Sequence, residues 1–108
     1  MLFRSVVTYT EGVVLVKDII KTSCYPNPVD SQLVINIELK NSTKLGLKIF
    51  DMSGKMVAEV FKKKQFNEGK NEEFVNVRNL NLAPGVYNYV IESKKGKALA
   101  TNKFVVVK

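Results

Sequence analysis

The feature that most constrains this fold is a two-residue alternation of apolar side chains that recurs along the chain. It is clearest in "LVINIELK" (33–40), where every second residue is Leu or Ile. Because successive strand side chains point to opposite faces, this period predicts a strand with one buried face. Similar patterns predict strands at 4–9, 13–20, 33–40, 45–50, 56–61, 73–77, 86–92 and 99–107. No window keeps a helical period, so we expect an all-β, antiparallel immunoglobulin-like or fibronectin-like β-sandwich of about seven to eight strands.

Turn residues separate these segments. In "FDMSGKMV", Asp51 and Ser53 are expected in a tight hairpin that Gly54 closes with a positive φ. The Asp51 carboxylate is expected to cap its own turn, since it has no acidic companions for calcium. Gly96 in "ESKKGKAL" is expected to link the last two strands, and a polar loop around 67–71 joins an earlier pair.

The segment "NLNLAPGVYNYVI" carries the strongest turn signal. Pro84 and Gly85 occupy the second and third positions of a predicted type II turn over 83–86. Tyr87, two residues beyond Gly85, stands where a tyrosine corner places its ring, with its hydroxyl bonded to upstream backbone. We therefore expect a chain reversal here and a structural role for Tyr87.

Two prolines precede the clearest strand. Pro26 and Pro28 fix their own φ and push Tyr25 and Asn27 toward extended conformations. We expect them to stop sheet pairing and to separate a removable domain from what precedes it.

The domain boundary is predicted just before this proline segment. Residues 23–108 form the β-sandwich domain. Residues 1–22 form a linker, a leading hairpin around Glu11 and Gly12, or the end of a preceding passenger domain. Residues 1–20 lack the pattern of a secretory signal or a membrane span, so we expect an upstream segment to supply any export signal.

The composition argues against catalysis. The chain contains no histidine and one cysteine. It therefore lacks the commonest general base, a Cys-His pair and a Cys/His zinc set. Glu72 and Glu73 are neighbours on a predicted strand and point to opposite faces. We predict a non-catalytic domain with no cofactor and no metal, in which Cys24 is a packing thiol.

Lysine dominates the net charge of +7. Its runs at 62–64 and at 94, 95 and 97 are expected to solubilise hairpin tips and to guard sheet edges. Arg4 and Arg78 are the only arginines, whereas bidentate reading of phosphate or guanine favours arginine. We therefore expect no nucleic-acid partner.

Four motifs follow one another in order: "YPNP", "KIFDMSGKMV", "LNLAPGVYNYVI" and "KFVVVK". Together they resemble the C-terminal sorting domain of type IX secretion system (Por secretion system) cargo, the type A family. The matching sorting-signal residues are Tyr25, Pro26, Asn27, Pro28, Asp51, Ser53, Gly54, Lys55, Leu82, Pro84, Gly85, Tyr87, Lys103, Phe104, Val105, Val106, Val107 and Lys108.

The resemblance implies a non-catalytic sorting signal. Such a domain is a small β-sandwich at the C-terminus of an exported protein, and it directs the N-terminal passenger across the outer membrane of a Gram-negative bacterium. The expected partners are the type IX machinery and a sortase-like surface peptidase that usually removes the domain. The protein is then secreted or held at the cell surface, with no membrane span in this domain.

The terminal strand suggests a mechanism for recognition. Val105 and Val107 would lie on one face, and Phe104, Val106 and Lys108 on the other. As a C-terminal edge strand it would offer main-chain groups that a receptor could extend as a sheet. Edge-strand self-association follows from the same property.

Two other classes fit the same composition. One is a fibronectin-like or carbohydrate-binding module of a secreted enzyme or adhesin, and the other is a structural spacer. A sugar-binding platform would need solvent-facing aromatic side chains among Tyr25, Phe66, Tyr87 and Tyr89.

Overall fold

The structure, a computed structural model, describes residues 10–16 and 18–107. Within these ranges the chain forms β-strands and no helix. The strands are β1 (Thr10–Glu11), β2 (Val13–Val14), β3 (Ile19–Tyr25), β4 (Gln32–Leu39), β5 (Thr43–Asp51), β6 (Met56–Phe66), β7 (Gly69–Asn76), β8 (Gly85–Ser93) and β9 (Ala98–Val106). The predicted strand at 4–9 lies outside the described residues.

These strands form two antiparallel sheets. One has four strands in the order β1-β3-β4-β7, and the other has five in the order β2-β9-β8-β5-β6. The alternation confines apolar side chains to the faces between the sheets, so the sheets bury them against each other. The predicted all-β sandwich is confirmed, and no helix among the described residues is long and apolar enough to cross a membrane.

The core follows the predicted period. Leu33, Ile35, Ile37 and Leu39 in β4 are each at most 1% exposed. Each such burial contributes roughly 1.5–3 kcal/mol relative to an exposed side chain. The facing sheet supplies a second buried set: Leu45, Leu47, Ile49, Tyr87, Tyr89, Ile91, Ala100 and Phe104.

The alternation of apolar residues did not predict most of strand β3. Its buried positions include Thr22, Ser23 and Cys24, which are polar or small, so its inner face lacks an apolar signature. The predicted strand at 13–20 joined β2 to the beginning of β3, although these lie in different sheets. Strand β3 also crosses the predicted boundary between residues 22 and 23, and that boundary stays a prediction.

The chain changes sheets at Gly12; the leading hairpin predicted around this residue stays a prediction, because its first strand at 4–9 lies outside the described residues. Strand β1 pairs with β3, whereas β2 pairs with β9. A Cβ at Gly12 would lie 2.4 Å from Thr22 Cγ2 and 2.7 Å from the Thr101 carbonyl oxygen. This crossing therefore requires a residue without a side chain.

Other boundaries also differ from the predictions. Strand β6 continues to Phe66 along a polar edge, and β7 begins at Gly69, so the 67–71 loop shortens to 67–68. The prolines lie between the paired strands β3 and β4, and both their preceding peptide bonds are cis. Their predicted role as a separator ahead of the domain is therefore wrong.

Candidate functional site

Three of the predicted sorting-signal segments meet at one end of the five-stranded sheet. Asp51 at the end of β5 pairs with Tyr87 in β8, and Tyr87 pairs with Phe104 in β9. Nearer the end of β9, Val106 pairs with Gly85. Segment 25–29 joins them along the other edge of β9. We call the four segments 25–29, 51–55, 82–87 and 103–107 the motif end.

Asn27 fastens the proline segment to the terminal strand. Its Oδ1 accepts a hydrogen bond from the Val105 backbone N–H at 2.8 Å, and its Nδ2 donates to the Lys103 carbonyl oxygen at 3.3 Å. The same Nδ2 donates to Thr10 Oγ1 at 2.8 Å. The carboxamide thus offers β9 one acceptor and one donor, as a backbone peptide of a neighbouring strand would.

Val29 continues this pairing by one step. Its N–H donates to the Val105 carbonyl oxygen at 2.8 Å, and its carbonyl oxygen accepts the Val107 N–H at 2.8 Å. Val29 and Val106 form a parallel bridge, and both side chains are buried. Segment 25–29 is therefore a short extra partner for the end of β9.

The predicted free edge of the terminal strand is wrong for this reason. Between Lys103 and Val107, four outward main-chain groups already bond to Asn27 and Val29, and the Lys103 N–H donates to Asn102 Oδ1. The predicted division of faces is confirmed for the described residues, since Phe104 and Val106 are buried and Val107 is 39% exposed. Lys108 lies outside the described residues.

The 51–55 hairpin has the predicted self-capped form. Asp51 Oδ1 accepts hydrogen bonds from the Ser53 hydroxyl at 2.7 Å, the Ser53 N–H at 2.9 Å and the Lys55 N–H at 3.1 Å. These bonds, that from the Ser53 hydroxyl first, lower the pKa of the Asp51 carboxyl. Gly54 closes the loop at a φ of 88°. Within the described ranges, no cluster of His, Cys, Asp or Glu could hold a metal ion.

The chain reversal before β8 lies upstream of the predicted type II turn. The Leu82 N–H donates to the Val77 carbonyl oxygen at 3.2 Å, and the Asn81 N–H donates to the Arg78 carbonyl oxygen at 3.0 Å. Asn81 has a φ of 57°, so this is a Schellman-type closure with asparagine in the left-handed position. Gly85 at a φ of 157° is too extended for the predicted turn.

Tyr87 forms the predicted tyrosine corner. Its hydroxyl donates to the Ala83 carbonyl oxygen at 2.6 Å, and its ring lies 5.8 Å from that of Phe104 between centroids. The side chain is buried. Tyr87 therefore ties the 82–87 turn to the terminal strand.

A groove of about 530 Å³ opens at the motif end. The apolar residues Leu82, Pro84, Val106 and Val107 line it in part. Arg78 lies on its rim, where its Nε donates to the Asp30 carbonyl oxygen at 3.0 Å. The groove places side chains of the predicted turn beside those of the terminal strand.

A buried polar chain under the motif end was not predicted. Thr22 Oγ1 donates its hydroxyl proton to the Asn36 carbonyl oxygen at 2.8 Å. In its second hydrogen bond Thr22 Oγ1 is therefore the acceptor, and the Tyr89 hydroxyl donates to it at 2.8 Å. Asn102 Nδ2 donates to the Tyr89 hydroxyl at 3.3 Å and to the Thr10 carbonyl oxygen at 2.7 Å. Burial raises the pKa of Tyr89. Every side chain in this hydrogen-bonded network has a partner, as a buried polar network requires.

Cys24 lies beside this chain and is fully buried. Burial raises the pKa of its thiol to about 11. The prediction of a packing thiol is confirmed, because a buried, protonated thiol is a poor nucleophile.

Three of the four aromatic residues considered for sugar binding belong to the core. Phe66, Tyr87 and Tyr89 are at most 7% exposed. Tyr25 lies at the end of β3, directly across from Val34 in β4, and Val34 lies across from Phe74 in β7. Phe74 is 57% exposed and was not among the predicted candidates.

The comparison with protein families adds what geometry alone does not. The family model of the secretion system C-terminal sorting domain matches residues 23–108. The chain belongs to this family. Neither the curated proteins nor the solved structures gave a match. The predicted resemblance to the type IX secretion sorting domain is confirmed.

Membership in the sorting-domain family sets the coarse function. A type IX C-terminal sorting domain is a sorting signal that is not known as catalytic. It implies interaction with the type IX secretion machinery, attachment to a passenger, and a secreted or cell-surface protein exported through the outer membrane. The matched range includes all four segments of the motif end.

Proposed function

We propose that the type IX secretion machinery recognises this domain at its motif end and thereby carries an attached N-terminal passenger across the outer membrane. The observation that supports this proposal is the convergence of segments 25–29, 51–55, 82–87 and 103–107 on one end of the sandwich. Residues far apart in sequence thus form one surface that a single receptor could contact.

Recognition at this end uses exposed side chains and loops. Asn27 and Val29 already hold the outward main-chain groups of the terminal strand, so strand addition there would have to displace them. By contrast, Val107, which lines the groove of about 530 Å³, is 39% exposed, and Met52 on the 51–55 hairpin is 63% exposed. Exposed apolar side chains of this kind are typical of a protein-binding surface.

The fate of the domain after export belongs to the same proposal. The passenger passes through the periplasm and the outer membrane, and a sortase-like surface peptidase then removes the domain as the passenger is released or held at the cell surface. In this proposal the domain itself catalyses none of these export steps. Edge-strand self-association stays a prediction; among the described residues the outer strands are β1 and β7 of one sheet and β2 and β6 of the other.

The test changes the surface without changing the fold. Met52→Ser with Val107→Ser removes exposed apolar groups from the motif end, and Ile20→Ser with Phe74→Ser removes equally exposed groups elsewhere. Each variant of residues 1–108, behind a signal peptide and a reporter, is expressed in a type IX-competent bacterium. We expect reduced external reporter for the motif-end variant only, at equal melting temperatures. Equal export of both variants would contradict recognition at this surface.

One observation favours a second candidate, a carbohydrate-binding module. Tyr25, Val34 and Phe74 lie in register across three strands on the outer face of the four-stranded sheet, which places the two aromatic residues roughly 10 Å apart. Phe74 is exposed and Tyr25 is half-buried, and two aromatic rings at such a spacing could stack on a sugar chain. Calorimetry of the chain against soluble polysaccharides tests this. Saturable heat that Phe74→Ala abolishes would support it, and no heat would dismiss it.

A further inference from the structure

The fold brings the two separate lysine runs together at the end of the sandwich opposite the motif end. Strand β5 lies between β6 and β8, and Leu45 in β5 pairs with Lys64 on one side and Ser93 on the other. The lysines at 62–64 and those of the turn at 94–97 therefore flank the same part of β5. Their sequence positions gave no sign of this proximity.

Lysines of both runs, together with Lys44, line a cleft of about 530 Å³ to which no carboxylate of the described residues contributes. Four ammonium groups are accompanied by hydroxyl and amide groups, and we call this cleft the basic cleft. Its lining residues are Ser42, Thr43, Lys44, Lys63, Gln65, Lys94 and Lys95. An adjoining groove of about 240 Å³ shares Lys63, Lys94 and Lys95.

Neighbouring carboxylates do not neutralise the basic cleft. Glu92 pairs with Lys48 at 3.1 Å, Glu59 with Lys62 at 3.8 Å and Glu73 with Lys64 at 2.9 Å. Among the described residues, the cleft lysines 44, 63, 94 and 95 make no ion pair. Like charges gathered in a cleft raise the local potential and attract anions.

A β-bulge sets the position of Lys63. The register between β5 and β6 shifts between Leu45 and Leu47, and Lys63 adopts a φ of 52°. This left-handed conformation is uncommon for a residue with a Cβ. Bulges redirect side chains, and this one places Lys63 in the basic cleft with lysines of the 94–97 turn.

We propose that the basic cleft binds a phosphate-bearing polyanion, an activity separate from sorting. Lysine binds phosphate as a point charge, and several lysines in one cleft suit a ligand with several phosphate groups. Within the part of the chain that the structure describes, no aromatic residue and no arginine lines the cleft, so base stacking and bidentate base reading have no support. Free polyphosphate and anionic lipid head groups share the required chemistry.

The test compares two variants with equal charge changes in the full chain. Lys63→Gln and Lys94→Gln are combined in the cleft variant, and Lys21→Gln and Lys70→Gln in the control, which lies outside both the cleft and the motif end. Tripolyphosphate is titrated into each protein in a calorimeter at one ionic strength, after circular dichroism has shown equal melting temperatures. We expect the cleft variant to lose roughly tenfold or more in affinity and the control to stay near the original protein.

Vesicles identify the source of the phosphate. The original protein and the cleft variant are each sedimented with vesicles that contain phosphatidylglycerol and with vesicles of pure phosphatidylcholine. If only the original protein sediments, and only with the phosphatidylglycerol vesicles, the ligand is a lipid head group. Tripolyphosphate binding without vesicle binding would assign a free polyanion. Equal losses in the cleft variant and the control, or binding of neither ligand, would overturn the proposal.

Discussion

The hydrogen bonds between the Asn27 side chain and the terminal strand give a prediction for stability and for local hydrogen exchange. Asn27→Ala removes the acceptor of the Val105 N–H and the donor to the Lys103 carbonyl oxygen. It also removes the 2.8 Å bond to Thr10 Oγ1. The Val105 amide is part-buried, so it loses a partner in a place where water does not readily replace it.

The expected loss of stability follows from these contacts. A part-buried donor left unpaired costs about 1–3 kcal/mol, and the bonds to Lys103 and Thr10 add less because water can reach their groups. We expect Asn27→Ala to lower the free energy of unfolding by about 2 kcal/mol. For a domain of this size, that corresponds to a drop of roughly 8 °C in Tm.

Urea denaturation and hydrogen exchange measure the two parts of this prediction. The Val105 amide should exchange faster in Asn27→Ala than the global loss of stability explains. Asn27→Asp should keep Val105 protected, because a carboxylate oxygen still accepts its N–H. Asn79→Ala is the control, since that side chain is exposed and a change within about 0.5 kcal/mol is expected. Unchanged protection of the Val105 amide from hydrogen exchange in Asn27→Ala would show that Asn27 does not hold the terminal strand.

Three further predictions concern the core. Tyr89→Phe should lower the free energy of unfolding by about 1–3 kcal/mol in urea denaturation, because Thr22 and Asn102 lose a buried partner, whereas Tyr87→Phe should cost about 0.5–1.5 kcal/mol. Equal losses would contradict this. Burial raises the pKa of Cys24 from 9.0 to about 11, so its contribution to stability is present below pH 9 and lost as pH rises toward 11. Denaturation at several pH values should show this decline, and Cys24→Ala should make it shallower, with the remainder due to Tyr89, whose pKa burial also raises; an identical slope in both proteins would contradict the burial argument. Gly12→Ala should destabilise the fold by about 1–3 kcal/mol, because its Cβ would overlap Thr22 and Thr101. Gly54→Ala, whose Cβ meets no atom within 4 Å, tests backbone strain alone and should cost less.

The sandwich was predictable from the sequence because its core strands carry regular apolar alternation. Strand β4 and the facing strands β5 and β8 bury one side chain in two, which is the pattern that the period reveals. Strand β3 was not predictable in this way, because Thr22 and Cys24 occupy its inward positions. Their burial depends on Tyr89 and Asn102, which come from the other sheet.

The candidate site was predictable as a set of residues but not as an arrangement. Local signals were sufficient for the Asp51 hairpin and the Tyr87 corner, since their partners lie within four residues. The bond between Asn27 and Val105 spans 78 positions, and no local pattern indicates it. The predicted type II turn does not form, because the chain reverses earlier, with Asn81 in the left-handed conformation that was expected of Gly85.

The most direct test of the central claim is whether this chain exports a foreign passenger. Residues 1–108 are fused behind a signal peptide and a fluorescent reporter, because β3 begins before residue 23 and belongs to the folded sheet. Reporter is then measured in the medium, on the cell surface and in the periplasm of a type IX-competent strain and of a secretion-deficient mutant. Our account predicts external reporter in the competent strain and periplasmic reporter in the mutant. Periplasmic reporter in both strains would contradict it.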